Sequence, residues 1–149
     1  MDATAGGCPP VAPGVEIQLS VRHGREAVAF YEAALGARTC FRFGGTDELP
    51  EVVAQLQVGS TRFWVEDESA EHGNFSPETV GGATARLLLL VDDPAAAFDR
   101  ALAAGAREIQ PVAEAHGWRL GRVVDPYGHH WEIGQPLGSW PPAEGKVGP

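Results

Sequence analysis

The stretch DPYGHHWE, residues 125–132, sets two histidines and a glutamate behind a turn. Imidazole and carboxylate are the usual ligands of catalytic zinc, iron and nickel, so a metal centre is the first chemistry it suggests. Strand alternation places His130 and Glu132 on one face and His129 and Trp131 on the other, so only one histidine can accompany the glutamate. The run Trp64-Val65-Glu66 has the same alternation, which makes Glu66 the expected internal counterpart of Glu132, 66 positions earlier. Two inward carboxylates are hard to assign to core packing and require a cation, a proton or an arginine.

Candidate partners come from two further runs. Aligning LSVR (19–22) with LLVD (89–92) pairs Glu16 with Arg86, so Glu16, Glu66, Arg86 and Glu132 are expected on one concave surface. Arg86 can satisfy glutamates there as an ion-pair network. It cannot ligate a metal, because a guanidinium stays protonated and offers only donors. A metal site would then have to come from Glu16, Glu66, His130 and Glu132, a set suited to a hard divalent ion such as Mn²⁺ or Mg²⁺. Beside Glu66, the ring of Trp64 could stack on a planar or cationic ligand. Trp118 is a second candidate wall, whereas Trp131 reads as core. His72 and His116 read as loop and turn histidines, and of Arg119 and Arg122, on opposite faces of one strand, at most one reaches the ligand side. Phosphate-loop spacing and a local nucleophile signature are both missing from the sequence.

These side chains need strands to hold them. VEIQLSV (15–21) reads as a strand, and GREAVAFYEAAL (24–35) as a helix with Ala27, Val28, Tyr31, Ala34 and Leu35 on one face and a stop at Gly36. RTCFRF (38–43), EVVAQLQV (51–58) and TRFWVED (61–67) follow as strands, the last two joined by a turn at Gly59-Ser60. The order then repeats. TARLLLLV (84–91) is a strand, Asp93 an N-cap, Pro94 the first helical residue and Gly105 the stop, followed by strands at 107–112, 118–124 and 129–134. AFYEAALGAR (29–38) matches AFDRALAAGAR (97–107) at an offset of roughly 68 to 69, so the chain reads as a tandem duplication of a strand-helix-three-strand unit. Residues 15–67 form the first module, 68–83 the loop between modules and 84–134 the second, flanked by a flexible leader (1–14) and a tail (135–149) whose Trp140 packs on the domain.

A chain of 149 residues suffices for one domain. Its two cysteines imply no disulfide framework and no run resembles a secretory signal, so the expected compartment is the cytoplasm. The longest apolar run, Leu87 to Val91, is far below the roughly 20 residues that span a bilayer. With Lys and Arg outnumbered 11 to 20 and a net charge of −9, nucleic acid is not an expected partner, and a cationic or hydrogen-bond-rich small molecule is.

The words FYEAALGA (30–37), VDDPAAAFDRALAAGA (91–106) and GRVVDPYGHHWEIG (121–134) resemble those of the vicinal oxygen chelate superfamily, which holds glyoxalase I, extradiol dioxygenases and fosfomycin- and bleomycin-resistance proteins. The PhnB-like and bleomycin-resistance-like small proteins are the most similar. The resemblance implies an α+β fold of two tandem βαβββ modules, a curled mixed sheet around a concave cleft, and a homodimer. Metal-dependent members place ligands on the first and last strands of each module, often as His, Glu, His, Glu. Glu66 and Glu132 match the glutamates, while Glu16 and Arg86 stand where histidine is usual. The expectation is therefore a cytoplasmic binding protein for an antibiotic or metabolite, with no metal or other cofactor favoured. Its ligand contacts would be Glu16, Trp64, Glu66, Arg86, Trp118, His130 and Glu132. The alternatives are a divalent-metal lyase, isomerase or dioxygenase acting on vicinal oxygens, and a metal-free enzyme in which Glu66 or Glu132 is the general base.

Overall fold

The computed structural model describes residues 4–5 and 7–143. The remaining positions of the expected leader and tail, 1–3, 6 and 144–149, lie outside the described residues. The chain divides into two compact units with the boundary between Gly82 and Ala83.

The first unit carries β1 (Thr4–Ala5), β2 (Ile17–Val21), α1 (Gly24–Leu35), β3 (Arg38–Gly44), β4 (Val52–Val58) and β5 (Thr61–Asp67). Its sheet has the order β1-β3-β4-β5-β2, with β2 parallel to β5 and the other pairs antiparallel. The apolar stripe of α1 buries Ala27, Val28, Tyr31 and Ala34 against Leu19, Val21, Ala54, Leu56, Phe63 and Val65. Tyr31 meets Phe63 edge-on, with ring centroids 5.6 Å apart. Gly36 ends the helix at φ 67°, a left-handed conformation that glycine adopts without a Cβ penalty. No side chain of its own caps the N-terminus of α1. Instead Asp67, at the end of β5, accepts from Gly24 N at 3.0 Å and from Val52 N at 2.7 Å, so a distant carboxylate supplies the missing acceptor.

The second unit carries β6 (Arg86–Leu90), α3 (Pro94–Ala104), β7 (Arg107–Ala115), β8 (Trp118–Val124) and β9 (His130–Pro136). The order is β6-β9-β8-β7, with β6 parallel to β9. Asp93 Oδ1 caps α3 by accepting from Ala96 N at 3.1 Å. Phe98, Ala101, Leu89, Val123, Trp131 and Ile133 are buried. A Cβ on Gly121 would lie 2.8 Å from Phe98 Cε2, so this strand glycine is what lets α3 approach β8 so closely. Each unit thus realises the expected βαβββ order, and the fold is α+β.

The segment between the modules is more structured than a loop. It holds a 3-10 turn (Ala70–His72), a bridge between Ser69 and Asn74, and the one-turn helix α2 (Pro77–Val80). Glu68 organises it by accepting from Ser76 N at 3.0 Å and Thr79 Oγ1 at 2.7 Å. Those hydrogen bonds, the backbone one first, hold its carboxyl below the usual carboxylate range.

Two expectations about the leader and the cysteines are corrected. The leader is tied to the sheet: β1 pairs antiparallel with β3 through Thr4↔Arg42 and Ala5↔Phe41. Cys8 and Cys40 are disulfide-bonded, with Cα atoms 5.3 Å apart, and none of the described cysteines is free. The cysteines therefore no longer argue for a reducing compartment. Both departures have one cause: strand pairing at a sheet edge brings together residues 32 positions apart, which no local pattern encodes. Among the described residues no helix is long and apolar enough to cross a membrane.

Candidate functional site

Each sheet buries one face under its helix and leaves the other open, and the expected site residues lie on the open faces. In the first unit Gln18, Trp64, Gln55 and Phe41 form one cross-strand row, followed by Ser20, Glu66, Val53 and Phe43. Glu16 Oε1 accepts from Trp64 Nε1 at 2.9 Å and from Gln55 Nε2 at 2.8 Å. Gln55 is buried, and Phe41 tilts against Trp64 with centroids 6.1 Å apart. Gln55 was not among the expected site residues. Its signal was present in EVVAQLQV, where the inward alternation of β4 is polar at Gln55 and Gln57.

Glu66 behaves differently. It is half-buried, and among the described residues it makes no hydrogen bond or ion pair. It lines a cavity of about 470 Å³ together with Phe43, Leu49, Val53, Asp67 and His72. His72, read from sequence as a loop histidine, therefore shares a cavity wall with Glu66, and its Nδ1 lies 2.8 Å from Ser69 Oγ.

In the second unit the open face carries Arg86, His130, Glu132, Arg122, Leu120 and Trp118. Arg86 Nε donates to Glu132 Oε1, the ion pair anticipated for Arg86. Arg122 Nε donates to His130 Nδ1 at 3.1 Å. Burial, and then the charge of Arg122, push the His130 imidazole below its ordinary value of 6.5. Leu120 and Trp118 line a second cavity of about 480 Å³ with Gln110, Pro111 and His116. Trp140 packs edge-on against Trp118 at 5.0 Å, as anticipated for the tail. The turn of DPYGHHWE is held by the buried Asp125, which accepts from Tyr127 N, His129 N and Trp131 Nε1 at 2.9–3.0 Å. Trp131 is core.

The register revises which residues are equivalent. With Glu16 matched to Arg86, Gln18 matches Leu88, and their partners Trp64 and Glu132 become counterparts. Glu66 then falls opposite Ser20, where the second unit has Gly134 opposite Leu90. The expected Glu66–Glu132 equivalence is thus displaced by two residues, a slip that keeps the face and changes the neighbour.

Three of the four side chains expected as metal donors are engaged by other residues, Glu66 being the exception. Glu16 is committed to two N–H donors, Glu132 to a guanidinium, and the Nδ1 of His130 to a second guanidinium. Within either unit, among the described residues, no three His, Cys, Asp or Glu side chains converge as ligands. Arginine beside a carboxylate competes directly with a metal for its lone pairs.

Comparison with known proteins places the fold. Residues 16–134 match the glyoxalase-like domain, and the chain belongs to that family. An uncharacterized protein of Mycobacterium bovis is 32% identical over 131 residues, covering 85% of this chain and 86% of that protein. The crystal structure of TioX from Micromonospora is 27% identical, with a TM-score of 0.63 over 83% of this chain and 100% of that one. A glyoxalase/bleomycin resistance protein/dioxygenase family enzyme from Burkholderia phytofirmans shares the fold at 19% identity, with a TM-score of 0.62 over 82% and 97% of the two chains.

Proposed function

We propose that this protein binds a small organic cation, an antibiotic or metabolite bearing an amine, on the open sheet face of its first unit and without a metal. One observation carries the reading: Glu66 is a half-buried carboxylate with no hydrogen bond or ion pair among the described residues, at the wall of a roughly 470 Å³ cavity. A carboxylate in that position leaves strong acceptor capacity that an ammonium donor completes. Phe43, Leu49 and Val53 offer apolar contact to the rest of the molecule, and Asp67 and Glu51 add negative charge around it. The net charge of −9 favours the approach of a cation over that of an anion. The working form in this proposal is a homodimer, which light scattering in solution checks.

The test is a panel of aryl and alkyl amines followed by calorimetry and melting temperature, on the parent protein and on Glu66→Gln. Saturable binding that Glu66→Gln weakens by about tenfold, equivalent to ~1.4 kcal/mol, supports the proposal. An unresponsive parent protein, or an unchanged affinity in Glu66→Gln, overturns it.

A further inference from the structure

The open face of the second unit carries an imbalance that the cation reading does not use. Arg122 sits directly opposite Glu132 across the β8–β9 pair, the position at which a guanidinium and a carboxylate would ordinarily join. Glu132 instead pairs with Arg86 from the other side. Arg122 turns to His130, spending only its Nε–H on the imidazole Nδ1. Among the described residues its two terminal nitrogens have no hydrogen-bond or ion-pair partner. Two guanidiniums thus lie beside one carboxylate on this face and only Arg86 pairs with it, leaving a local surplus of positive charge in a chain whose net charge is −9.

The hydrogen bond also fixes the histidine. Because Nδ1 accepts from Arg122, the neutral ring carries its proton on Nε2, which is a donor. With its Nε–H held by the imidazole, the guanidinium of Arg122 is oriented with its two terminal nitrogens left as a fork of N–H donors. Bidentate N–H geometry of this kind matches a carboxylate.

What lies next to the pair gives the rest of the ligand. Arg122 pairs with Gln110 on β7, and Leu120 and Trp118 follow Arg122 at two-residue steps on the same face of β8. Gln110, Leu120 and Trp118 line the roughly 480 Å³ cavity, whose wall continues with Pro111 and Ala113. Trp118 is held edge-on by Trp140, so its ring is a fixed surface rather than a freely rotating one. The cavity is apolar along most of its wall, and Gln110 at its edge is the cross-strand neighbour of Arg122.

We infer that the second unit holds an organic carboxylate with a flat apolar body: Arg122, oriented by His130, takes the carboxylate, and Trp118 and Leu120 take the body. The inference stands apart from the cation proposed for Glu66, since it uses different residues and the opposite charge. In unit one the equivalent of Arg122 is Gln55, which is buried and occupied by Glu16, so that face has no such clamp.

The experiment uses the full-length protein and three probes: 3-phenylpropanoate, its neutral amide 3-phenylpropanamide, and acetate. Calorimetry on the parent is expected to show saturable binding of 3-phenylpropanoate, with the amide and acetate each at least about tenfold weaker. Arg122→Gln is expected to lose that preference for the acid over the amide, and Trp118→Ala to weaken both. Arg119→Gln, whose side chain pairs with Glu114, is expected to bind as the parent does. Proton NMR supplies an independent readout, because a carboxylate seated on Arg122 beside His130 raises the imidazole's titration midpoint, while a ligand elsewhere leaves it unmoved. Circular dichroism confirms that each variant is folded. Equal affinity for acid and amide, an undiminished affinity in Arg122→Gln, or no saturable binding of 3-phenylpropanoate up to ~10 mM, well above a millimolar Kd, overturns the inference. Amine binding lost in Glu66→Gln and retained in Arg122→Gln separates the two proposals.

Discussion

Arg86 reaches Glu132 one row along the sheet rather than straight across it, since the residue directly opposite Arg86 is His130. Glu16 reaches Trp64 by the same diagonal, Trp64 being directly opposite Gln18. The duplicated units therefore preserve a contact while reversing its polarity: a donor on the first strand in one, an acceptor in the other. The arrangement shows why a metal-ligand pattern is not simply one substitution away. Both first-strand positions are already joined to the last strand by a protein–protein hydrogen bond.

The Arg86–Glu132 pair contributes little to stability. Arg86 is 53% exposed and Glu132 24%, so solvent screens the interaction. A double-mutant cycle with Arg86→Gln and Glu132→Gln is expected to return a coupling of ~0.2–1 kcal/mol by urea unfolding, smaller at high salt. A coupling above ~2 kcal/mol would show that the pair is screened far less than its exposure implies.

Trp64 is expected to matter through its N–H as well as its ring. Trp64→Phe retains an aromatic against Phe41 but leaves Glu16 with Gln55 as its one remaining hydrogen-bond donor among the described residues. The cost should be about 1 kcal/mol, the usual net value of one such bond plus a small packing loss. Denaturant titration followed by circular dichroism checks it, and a variant as stable as the parent would contradict it.

His130 gives a pH signature. Its folded midpoint lies below the ordinary 6.5, first through burial and next through Arg122, so protonation is linked to unfolding. The stability it contributes is complete above the unfolded value and is lost as pH falls through the folded midpoint. Proton NMR of the imidazole should show a midpoint under 6.5 that rises in Arg122→Gln without fully recovering, because the larger cause, burial, remains. A midpoint at or above 6.5 in the parent would contradict the burial argument.

The Cys8–Cys40 link closes a loop with a sequence separation of 32. Chain-entropy reasoning gives such a bond about 2–4 kcal/mol, so Cys8→Ser/Cys40→Ser should lower the urea midpoint accordingly. The measurement pairs that unfolding curve with a thiol titration, expected to find no reactive thiol before reduction and two after it. Thiols that titrate fully without reductant would refute the pairing.

Much of the scaffold was legible because its signals are local. The helix over 24–35 and the strands over 61–67 and 118–124 coincide with the structure residue for residue, set by apolar period, by Gly36 and by the hairpin turn. Asp93 and Pro94 announced α3 for the same reason. Alternation correctly put Glu132 and His130 opposite Trp131, since side-chain period needs no knowledge of the neighbouring strand.

Partners are another matter. That Glu16 is bound by Gln55, that Asp67 serves the start of α1, that Arg86 takes Glu132 and leaves Arg122 to His130, and that β1 returns to the edge of β3 are all consequences of strand register. Register is a long-range choice, and moving a strand by two residues keeps every side chain on its face while exchanging every neighbour. By itself the sequence determined the duplicated βαβββ units and which side chains point to the open faces. Only the tertiary structure decided which of them neutralise one another and which keep donors or acceptors without a partner among the described residues.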